Sequence, residues 1–170
     1  MHDRDCLHRF LFEQFPFRGH LVHLDAAWRA LIEHREYPPV IRDTLGETVA
    51  ASLLLAATIK FEGVLSLQFR GDGPVHLMLA QCTSGLAVRG LARYRGDGAG
   101  GTMRIADLIG AGNLTVTLET DDGAQRYQGI VPITGERVAD SLQLYFEKSE
   151  QLPTRLWLHA DHQGASGMLL

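Results

Sequence analysis

Histidine is the residue type in this sequence whose number and spacing most suggest a metal site. The chain has eight histidines, and two pairs, His20 with His23 and His159 with His162, are spaced at i and i+3. Both pairs fall in strand-like segments or at strand ends, where residues i and i+3 point to opposite faces of a sheet. No carboxylate or cysteine pattern completes a zinc ligand set. The sequence therefore predicts no metal site in this chain.

The two cysteines are candidate nucleophiles. Cys6 and Cys82 form no Cys-x-x-Cys unit, so the sequence shows neither a zinc knuckle nor a disulfide framework. No Gly-x-Ser-x-Gly elbow is present, and Cys6 or Cys82 could act only if a histidine approached it in space. A buried structural thiol is the favoured interpretation of Cys82. We expect no catalytic residues and no enzyme; the alternative is a small hydrolase that uses Cys82 or a histidine.

Composition argues against several other classes of partner. A net charge of −4 without a block of lysine or arginine is unfavourable for binding phosphates, so nucleic acid is not an expected partner. The glycines of residues 96–101 lack the strand–loop–helix spacing of a nucleotide-binding loop. The most apolar run, residues 49–59, is far shorter than the ~20 residues that span a membrane. The charged N-terminus carries no secretory signal, so a cytoplasmic location is expected.

Helical patterns recur along the chain, whose 170 residues predict one domain. Asp25 is a suitable N-cap for the first helix, Pro39 can open the second, and Pro153 stops the last. From Val49 onward the second helix is apolar or small nearly all round, so it should be the buried central helix. The predicted helices cover residues 26–36, 39–60, 104–109 and 136–149.

Strand patterns lie between these helices. They predict two short strands between residues 7 and 24, a meander over 64–70, 75–82 and 86–95, a hairpin of 114–119 with 125–131, and a strand over 154–159. Antiparallel sheets packed with several helices define an α+β fold. The segments that begin Phe17-Arg18-Gly19 and Tyr127-Gln128-Gly129 continue as an aliphatic strand, a cap and a helix closed by proline. This echo suggests an internal duplication.

One leucine does not fit the pattern of the last helix. Leu144 falls near the middle of the polar face, opposite the apolar stripe that includes Leu142 and Phe146. A single exposed leucine is ordinary. The alternative is that Leu144 contacts another chain, which makes it a candidate interface residue.

Five segments together carry a resemblance to a known family. They are Leu7-His8-Arg9-Phe10-Leu11-Phe12-Glu13, Gly71-Asp72-Gly73-Pro74, Tyr127-Gln128-Gly129, the segment from Ser149 to Arg155, and Gly167-Met168-Leu169-Leu170. None of them is catalytic, and it is their joint occurrence that is specific. Over nearly all of its length the chain resembles the N-terminal core domain of the thirty-three-kilodalton heat-shock protein family. The members of that family are bacterial redox-regulated holdase chaperones.

The resemblance implies an ATP-independent stress-response chaperone that binds unfolding proteins and forms a homodimer. In that family a C-terminal domain holds Zn²⁺ through four cysteines, and oxidation releases the metal and unfolds a linker. This sequence has none of those four cysteines, so residues 1–170 are expected to be the core domain without the linker and zinc switch. Cys6 and Cys82 are not assigned to the switch, and the substrate-binding residues are left unassigned.

Overall fold

The computed structural model of the chain describes residues 5–96 and 104–170, so residues 97–101 of the glycine-rich segment lie outside it. The described strands are β1 (Cys6–Leu11), β2 (Arg18–Leu24), β3 (Gly63–Gly71), β4 (Val75–Thr83), β5 (Val88–Tyr94), β6 (Gly112–Thr120), β7 (Arg126–Pro132), β8 (Leu156–Ala160) and β9 (Ala165–Leu169). The described helices are α1 (Ala26–Ile32), α2 (Pro39–Thr58), α3 (Ile105–Ile109) and α4 (Val138–Tyr145). A π-helical turn, Phe146–Glu150, continues α4.

The strands form two antiparallel sheets. One has four strands in the order β1-β2-β9-β8, and the other has five in the order β5-β4-β3-β6-β7. Helix α2 contacts strands of both sheets, and its residues Leu45, Val49 and Leu54 are fully buried. A helix enclosed on all sides needs the uniformly apolar surface that the sequence gives it. The α+β fold and the buried central helix are therefore both confirmed.

The five-stranded sheet presents one apolar face to the core. On β3, Leu65, Leu67 and Phe69 are buried, whereas Ser66 and Gln68 between them are only half-buried. Leu67 lies opposite Val116 of β6 and Ala80 of β4, so the three side chains share that face. Both β3 and β4 are interior strands.

Helix α1 is shorter than the predicted range of residues 26–36, because it ends at Ile32. The Arg35 N–H donates to the Ile32 carbonyl oxygen at 3.2 Å and closes a turn. The Tyr37 hydroxyl then accepts a hydrogen bond from the Ala92 N–H of β5 at 3.2 Å. A helix continued through residue 36 would not deliver Tyr37 to β5, so this tertiary contact overrides helical propensity.

Other boundaries shift for local reasons. β5 begins at Val88 rather than residue 86, since Leu86 has a φ of 65° and belongs to the preceding turn. The predicted helix 136–149 divides into α4 and the π-helical turn. The predicted helix 104–109 and the hairpin of β6 with β7 are present. Strand β9, which pairs with both β2 and β8, was not predicted.

The two echo segments do not occupy equivalent places. Both run from a strand into a helix, β2 into α1 and β7 into α4. However, β2 is an interior strand of the four-stranded sheet, whereas β7 is an edge strand of the five-stranded sheet. The internal duplication stays a prediction.

Gly46 allows α2 to approach its neighbours closely. A Cβ built at Gly46 would lie 2.5 Å from the Ala160 Cβ and 3.0 Å from a Trp28 ring carbon. Gly46→Ala should therefore lower the free energy of unfolding by about 1–3 kcal/mol, although alanine normally stabilises a helix interior. Urea unfolding would measure this. A Gly85→Ala control, where the added Cβ meets only the Thr83 hydroxyl at 3.8 Å, should change little, and a stabilised Gly46→Ala would contradict the close packing.

Candidate functional site

A cavity of about 530 Å³ opens between the two sheets at the C-terminal end of α2. We call it the intersheet cavity. Its lining is mostly apolar and is drawn from both sheets, from α2 and from the segment after α4. The lining residues are Pro16, Phe17, Arg18, His20, Leu55, Thr58, Ile59, Leu65, Val116, Leu118, Tyr127, Tyr145, Phe146, Glu150, Leu152, Pro153, Thr154, Leu169 and Leu170.

Four large side chains of this lining are also exposed to solvent. Phe17, Ile59, Tyr127 and Leu152 retain 55%, 43%, 46% and 52% of their accessible surface, and we call them the apolar rim. Single exposed apolar residues are ordinary, but a group of them around an apolar cavity is typical of a binding surface. The rim is therefore the part of the molecule best suited to contact another apolar group.

An aromatic cluster extends the rim along the connection between β1 and β2. The rings of Phe15 and Phe17 are stacked at 6.3 Å, and Phe12 meets Phe17 edge-on at 6.5 Å. Phe12 and Phe15 are both exposed. The Phe12 N–H donates to the Phe17 carbonyl oxygen at 3.1 Å and closes the connection. These rings make a continuous exposed apolar surface with the cavity mouth.

The segment after α4 forms the opposite wall of the cavity. The Tyr145 hydroxyl donates to Glu150 Oε1 at 2.7 Å across the π-helical turn, and the Tyr127 hydroxyl donates to the same oxygen at 3.4 Å. Burial, with the Glu150 carboxylate beside it, raises the pKa of Tyr145 above its usual range. The Leu152 N–H donates to the Phe146 carbonyl oxygen. These bonds fix Leu152 and Pro153 at the cavity mouth.

The echo noted in the sequence marks two residues of this site. Phe17 and Tyr127, the aromatic residues that open the two segments, both line the intersheet cavity. The glycine two residues after Tyr127 makes room for the far wall, because a Cβ at Gly129 would lie 2.5 Å from the Tyr145 ring. The repeated aromatic, polar, glycine pattern could thus have located Phe17 and Tyr127. The sequence alone assigned no substrate-binding residue.

Cys82 lies in the core and does not line the cavity. It is 0% exposed, and burial raises the pKa of its thiol to about 11. Among the described residues its only hydrogen bond goes to the Thr83 carbonyl oxygen at 3.4 Å. A protonated, enclosed thiol without a histidine partner is a poor nucleophile. Cys82 is therefore the buried structural cysteine that the sequence indicated, and the geometry does not favour a hydrolase built on it.

This environment predicts a difference in reactivity between the two cysteines. Cys6 is half-buried, whereas Cys82 is enclosed and protonated. Iodoacetamide at pH 8 should modify Cys82 at least about tenfold more slowly than Cys6, since the thiolate is the reactive form. Peptide mass spectrometry over time would measure both rates, with the urea-unfolded chain as control. Equal rates in the folded chain would contradict the described environment.

His20 and His23 point to opposite faces of the four-stranded sheet, as the strand pattern predicts. His20 is buried on the inner face of the four-stranded sheet. His23 faces the other way, and its Nδ1 is 2.7 Å from the Ser166 hydroxyl oxygen. Neither His23 nor Ser166 forms a hydrogen bond with a carboxylate among the residues described. In that part of the chain no three histidine, cysteine, aspartate or glutamate side chains are grouped to bind a metal, so these residues do not fit a zinc site.

Leu144 is less exposed than the helical wheel indicated. It is half-buried and packs against the hydrophobic core. The expectation of a leucine on a fully polar face is therefore wrong. A contact between Leu144 and another chain stays a prediction.

Known proteins resemble this chain in sequence and in structure. The family model described as Hsp33 protein matches residues 5–170. The 33 kDa chaperonin of Nitrosococcus oceani is 49% identical over 170 residues, which is 100% of this chain and 58% of that relative. The 33 kDa chaperonin of Methylobacillus flagellatus is 46% identical over 167 residues, 98% of this chain and 56% of that relative.

A solved structure shares the fold. The crystal structure of the 33 kDa chaperonin (heat shock protein 33 homolog) from Thermotoga maritima has a TM-score of 0.81 at 19% identity, covering 96% of this chain and 60% of that one. No helix among residues 5–96 and 104–170 is long and apolar enough to cross a membrane.

The geometry defines an α+β protein with an apolar cavity between its two sheets. The family match and the 49% identical relative identify the protein: the chain belongs to the Hsp33 family. It spans a little under three fifths of the length of the curated relatives it matches.

Proposed function

We propose that this chain is the client-binding core of an ATP-independent holdase chaperone. The observation that carries the proposal is the intersheet cavity with its apolar rim and adjoining aromatic cluster. Family membership supports it, because the relatives are named chaperonins. No enzyme activity is part of the proposal.

The chemistry of the surface suits an unfolding client. Such a client exposes apolar side chains of varied sequence, and burying them contributes about 25 cal/mol per Å² whatever the order of the residues. The rim offers two aromatic and two aliphatic side chains beside further exposed phenylalanines. Large, rigid aromatic side chains supply contact area at low entropic cost. Binding of this kind requires no nucleotide and no specific sequence.

The proposed regulation lies outside the residues described here. Cys82 is buried and protonated, and Cys6 has no partner in a disulfide. We assign the redox response to zinc-binding cysteines in the part of the full-length family protein that this chain does not cover, in a cytoplasmic setting. Thiolates are both good zinc ligands and oxidant targets, which suits such a switch.

Light scattering of a heat-unfolding client tests the proposed function. The client would be warmed alone, with the reduced chain and with the peroxide-treated chain. We expect suppression of aggregation in both states, to a similar extent. If neither the reduced nor the peroxide-treated chain changes the aggregation of the client, client binding by this core is contradicted. Suppression that depends strongly on oxidation would contradict the proposal that the redox switch lies in a part of the full-length protein that this chain does not cover.

A homodimer is the second part of the proposal, with Leu144 as its candidate contact. Leu144→Glu should weaken self-association or client binding, because it places a charge where a half-buried leucine packs. Sedimentation velocity and client light scattering would measure the two effects. Leu144→Ala, which removes the apolar contact without adding charge, is the control for lost packing. Unchanged sedimentation and aggregation profiles for Leu144→Glu would remove Leu144 from the interface.

A further inference from the structure

The two sheets have four edge strands, β1 and β8 in one sheet and β5 and β7 in the other. Every second residue of an edge strand directs its N–H and C=O groups away from the sheet, where another strand can pair with them. Side chains close two of these edges. The Tyr37 hydroxyl accepts a hydrogen bond from the Ala92 N–H of β5 at 3.2 Å, and Gln143 Oε1 accepts one from the Leu156 N–H of β8 at 3.0 Å.

The third edge strand, β7, has features that discourage pairing. The Ile133 N–H donates to the Gly112 carbonyl oxygen at 3.1 Å, so in the alternating pattern the even-numbered residues of β7 point away from β6. They include Arg126, which carries a charge, and Pro132, which has no N–H. Both residue types protect natural edge strands. β7 is therefore poorly suited to accept a further strand.

The fourth edge strand, β1, is open. The Phe12 N–H donates to the Phe17 carbonyl oxygen at 3.1 Å, so the alternate pairs of β1 with β2 that exchange hydrogen bonds are the even-numbered ones. Leu7, Arg9 and Leu11 thus direct their N–H and C=O groups away from β2. In the described part of the chain no turn, loop or side-chain hydrogen bond involves these main-chain groups.

The side chains of this open edge do not protect it. Arg9 has the charge that would discourage pairing, but its guanidinium is turned inward. It donates from Nε to His20 Nε2 at 3.2 Å and from Nη2 to the Ala57 carbonyl oxygen at 3.1 Å. Leu11 keeps 73% of its accessible surface, the largest value for a large apolar side chain among the residues described. An exposed leucine on an unprotected edge makes β1 available for pairing with another strand.

We propose that β1 binds an extended segment of an unfolding client by strand addition. The client main chain pairs with the outward groups of Leu7, Arg9 and Leu11. Because β1 leads directly into the aromatic cluster, a client that runs along β1 continues onto exposed rings beside the cavity mouth. Main-chain pairing does not depend on the client's sequence, which suits clients of varied sequence. The inference rests on the proposed function, since it describes how that function holds its client.

Amide hydrogen exchange measured by NMR tests the pairing on the unsubstituted chain. The probe is a short peptide of alternating valine and threonine with terminal lysines. Its control carries N-methyl groups on adjacent central residues, which removes donors from both edges of the peptide. With the site about nine-tenths occupied, exchange at Leu7, Arg9 and Leu11 should slow about tenfold. Gln128 and Ile130, which point outward from β7, should not change.

The methylated peptide should protect none of these amides. The proposal is overturned if the unmethylated peptide does not bind, or if it binds without slowing exchange at the outward amides of β1. Equal protection by the two peptides would also overturn it.

A matched pair of proline variants tests the same edge with a whole client. Leu11→Pro and Ile130→Pro each remove an outward N–H and an exposed aliphatic side chain, from β1 and β7 respectively. Proline is tolerated at such edge positions, and thermal unfolding would verify both folds. Leu11→Pro should raise at least about threefold the chain concentration that half-suppresses aggregation of a heat-unfolded client. Ile130→Pro, and Leu11→Val, which keeps the N–H, should leave that concentration nearly unchanged.

The outcomes distinguish this inference from the proposed function. If the unsubstituted chain suppresses aggregation and a folded Leu11→Pro variant does so equally well, client binding stands and strand addition at β1 is overturned. If the unsubstituted chain suppresses no aggregation, the proposed function fails and this inference fails with it. Protection of the β1 amides that rises with chain concentration in the absence of peptide would assign the edge to a second copy of the chain, and would overturn the proposal.

Discussion

The double substitution Phe17→Ser with Leu152→Ser is expected to raise at least about tenfold the chain concentration that half-suppresses aggregation of a heat-unfolded client. Both side chains lie on the apolar rim, at 55% and 52% exposure. Each fully buried side chain of this size contributes roughly 1.5–3 kcal/mol to association, and about 1.4 kcal/mol is tenfold. The comparison would be made by light scattering over a concentration series.

The matched control removes similar apolar surface from another place. Leu21 and Trp157 are also exposed, at 42% and 50%, and both lie opposite Met168 on the outer face of the four-stranded sheet. Leu21→Ser with Trp157→Ser should leave client protection within about twofold, a difference well below 1.4 kcal/mol. Thermal unfolding of both variants would confirm an intact fold. An equal loss of protection in both variants would show that exposed apolar area anywhere on the chain is sufficient, and would contradict a localised site.

A second large effect, on the pH dependence of stability, is expected from Glu47, whose carboxyl group is partly buried on α2. Burial raises its pKa to about 7; Asp43 adds to the shift and Arg137 opposes it. Below pH 4.5 the side chain is protonated in the folded and the unfolded chain, so it does not affect stability. Between pH 4.5 and 7 the unfolded chain ionises while the folded chain keeps its proton. Folding therefore loses stability as the pH rises, on the order of 3 kcal/mol in total.

Glu47→Gln should remove this loss. Relative to the unsubstituted chain, the variant should gain on the order of 3 kcal/mol in free energy of unfolding between pH 4.5 and pH 8. Urea unfolding of both proteins at the two pH values measures the change, and other titrating groups cancel in the difference. Glu62→Gln, at an exposed carboxyl, is the control and should show almost no gain in free energy of unfolding between the two pH values. A Glu47→Gln difference that is the same at both pH values would contradict a buried, protonated carboxyl.

Much of the fold could be predicted because the patterns are local. The uniformly apolar α2 and the alternating β3 and β6 are visible in the sequence, since burial on one face or on all faces fixes residue type at a regular period. Strand β9 has no such pattern, because its first three residues, Ala165, Ser166 and Gly167, are all small. Its pairing with β2 joins the two ends of the chain. A contact so distant in sequence leaves no periodic signal.

The candidate site was less predictable for the same reason. Its walls come from β2, α2, β6 and the segment after α4, and only the packing of two sheets brings them together. The aromatic residues Phe17 and Tyr127 had a signal in the sequence echo. The helical wheel failed at Leu144 because it shows only the direction of a side chain, whereas burial depends on the tertiary packing around the helix.

Photocrosslinking from the cavity mouth tests whether unfolding clients bind at the intersheet cavity. A photoreactive amino acid would replace Ile59, which lies on the rim, and in a second protein Arg93, which is exposed on β5 away from the cavity. We expect crosslinks to a heat-unfolded client from position 59, few from position 93, and none to the native client. Equal yields from the two positions, or no crosslinks from position 59 while the chain suppresses aggregation, would contradict it.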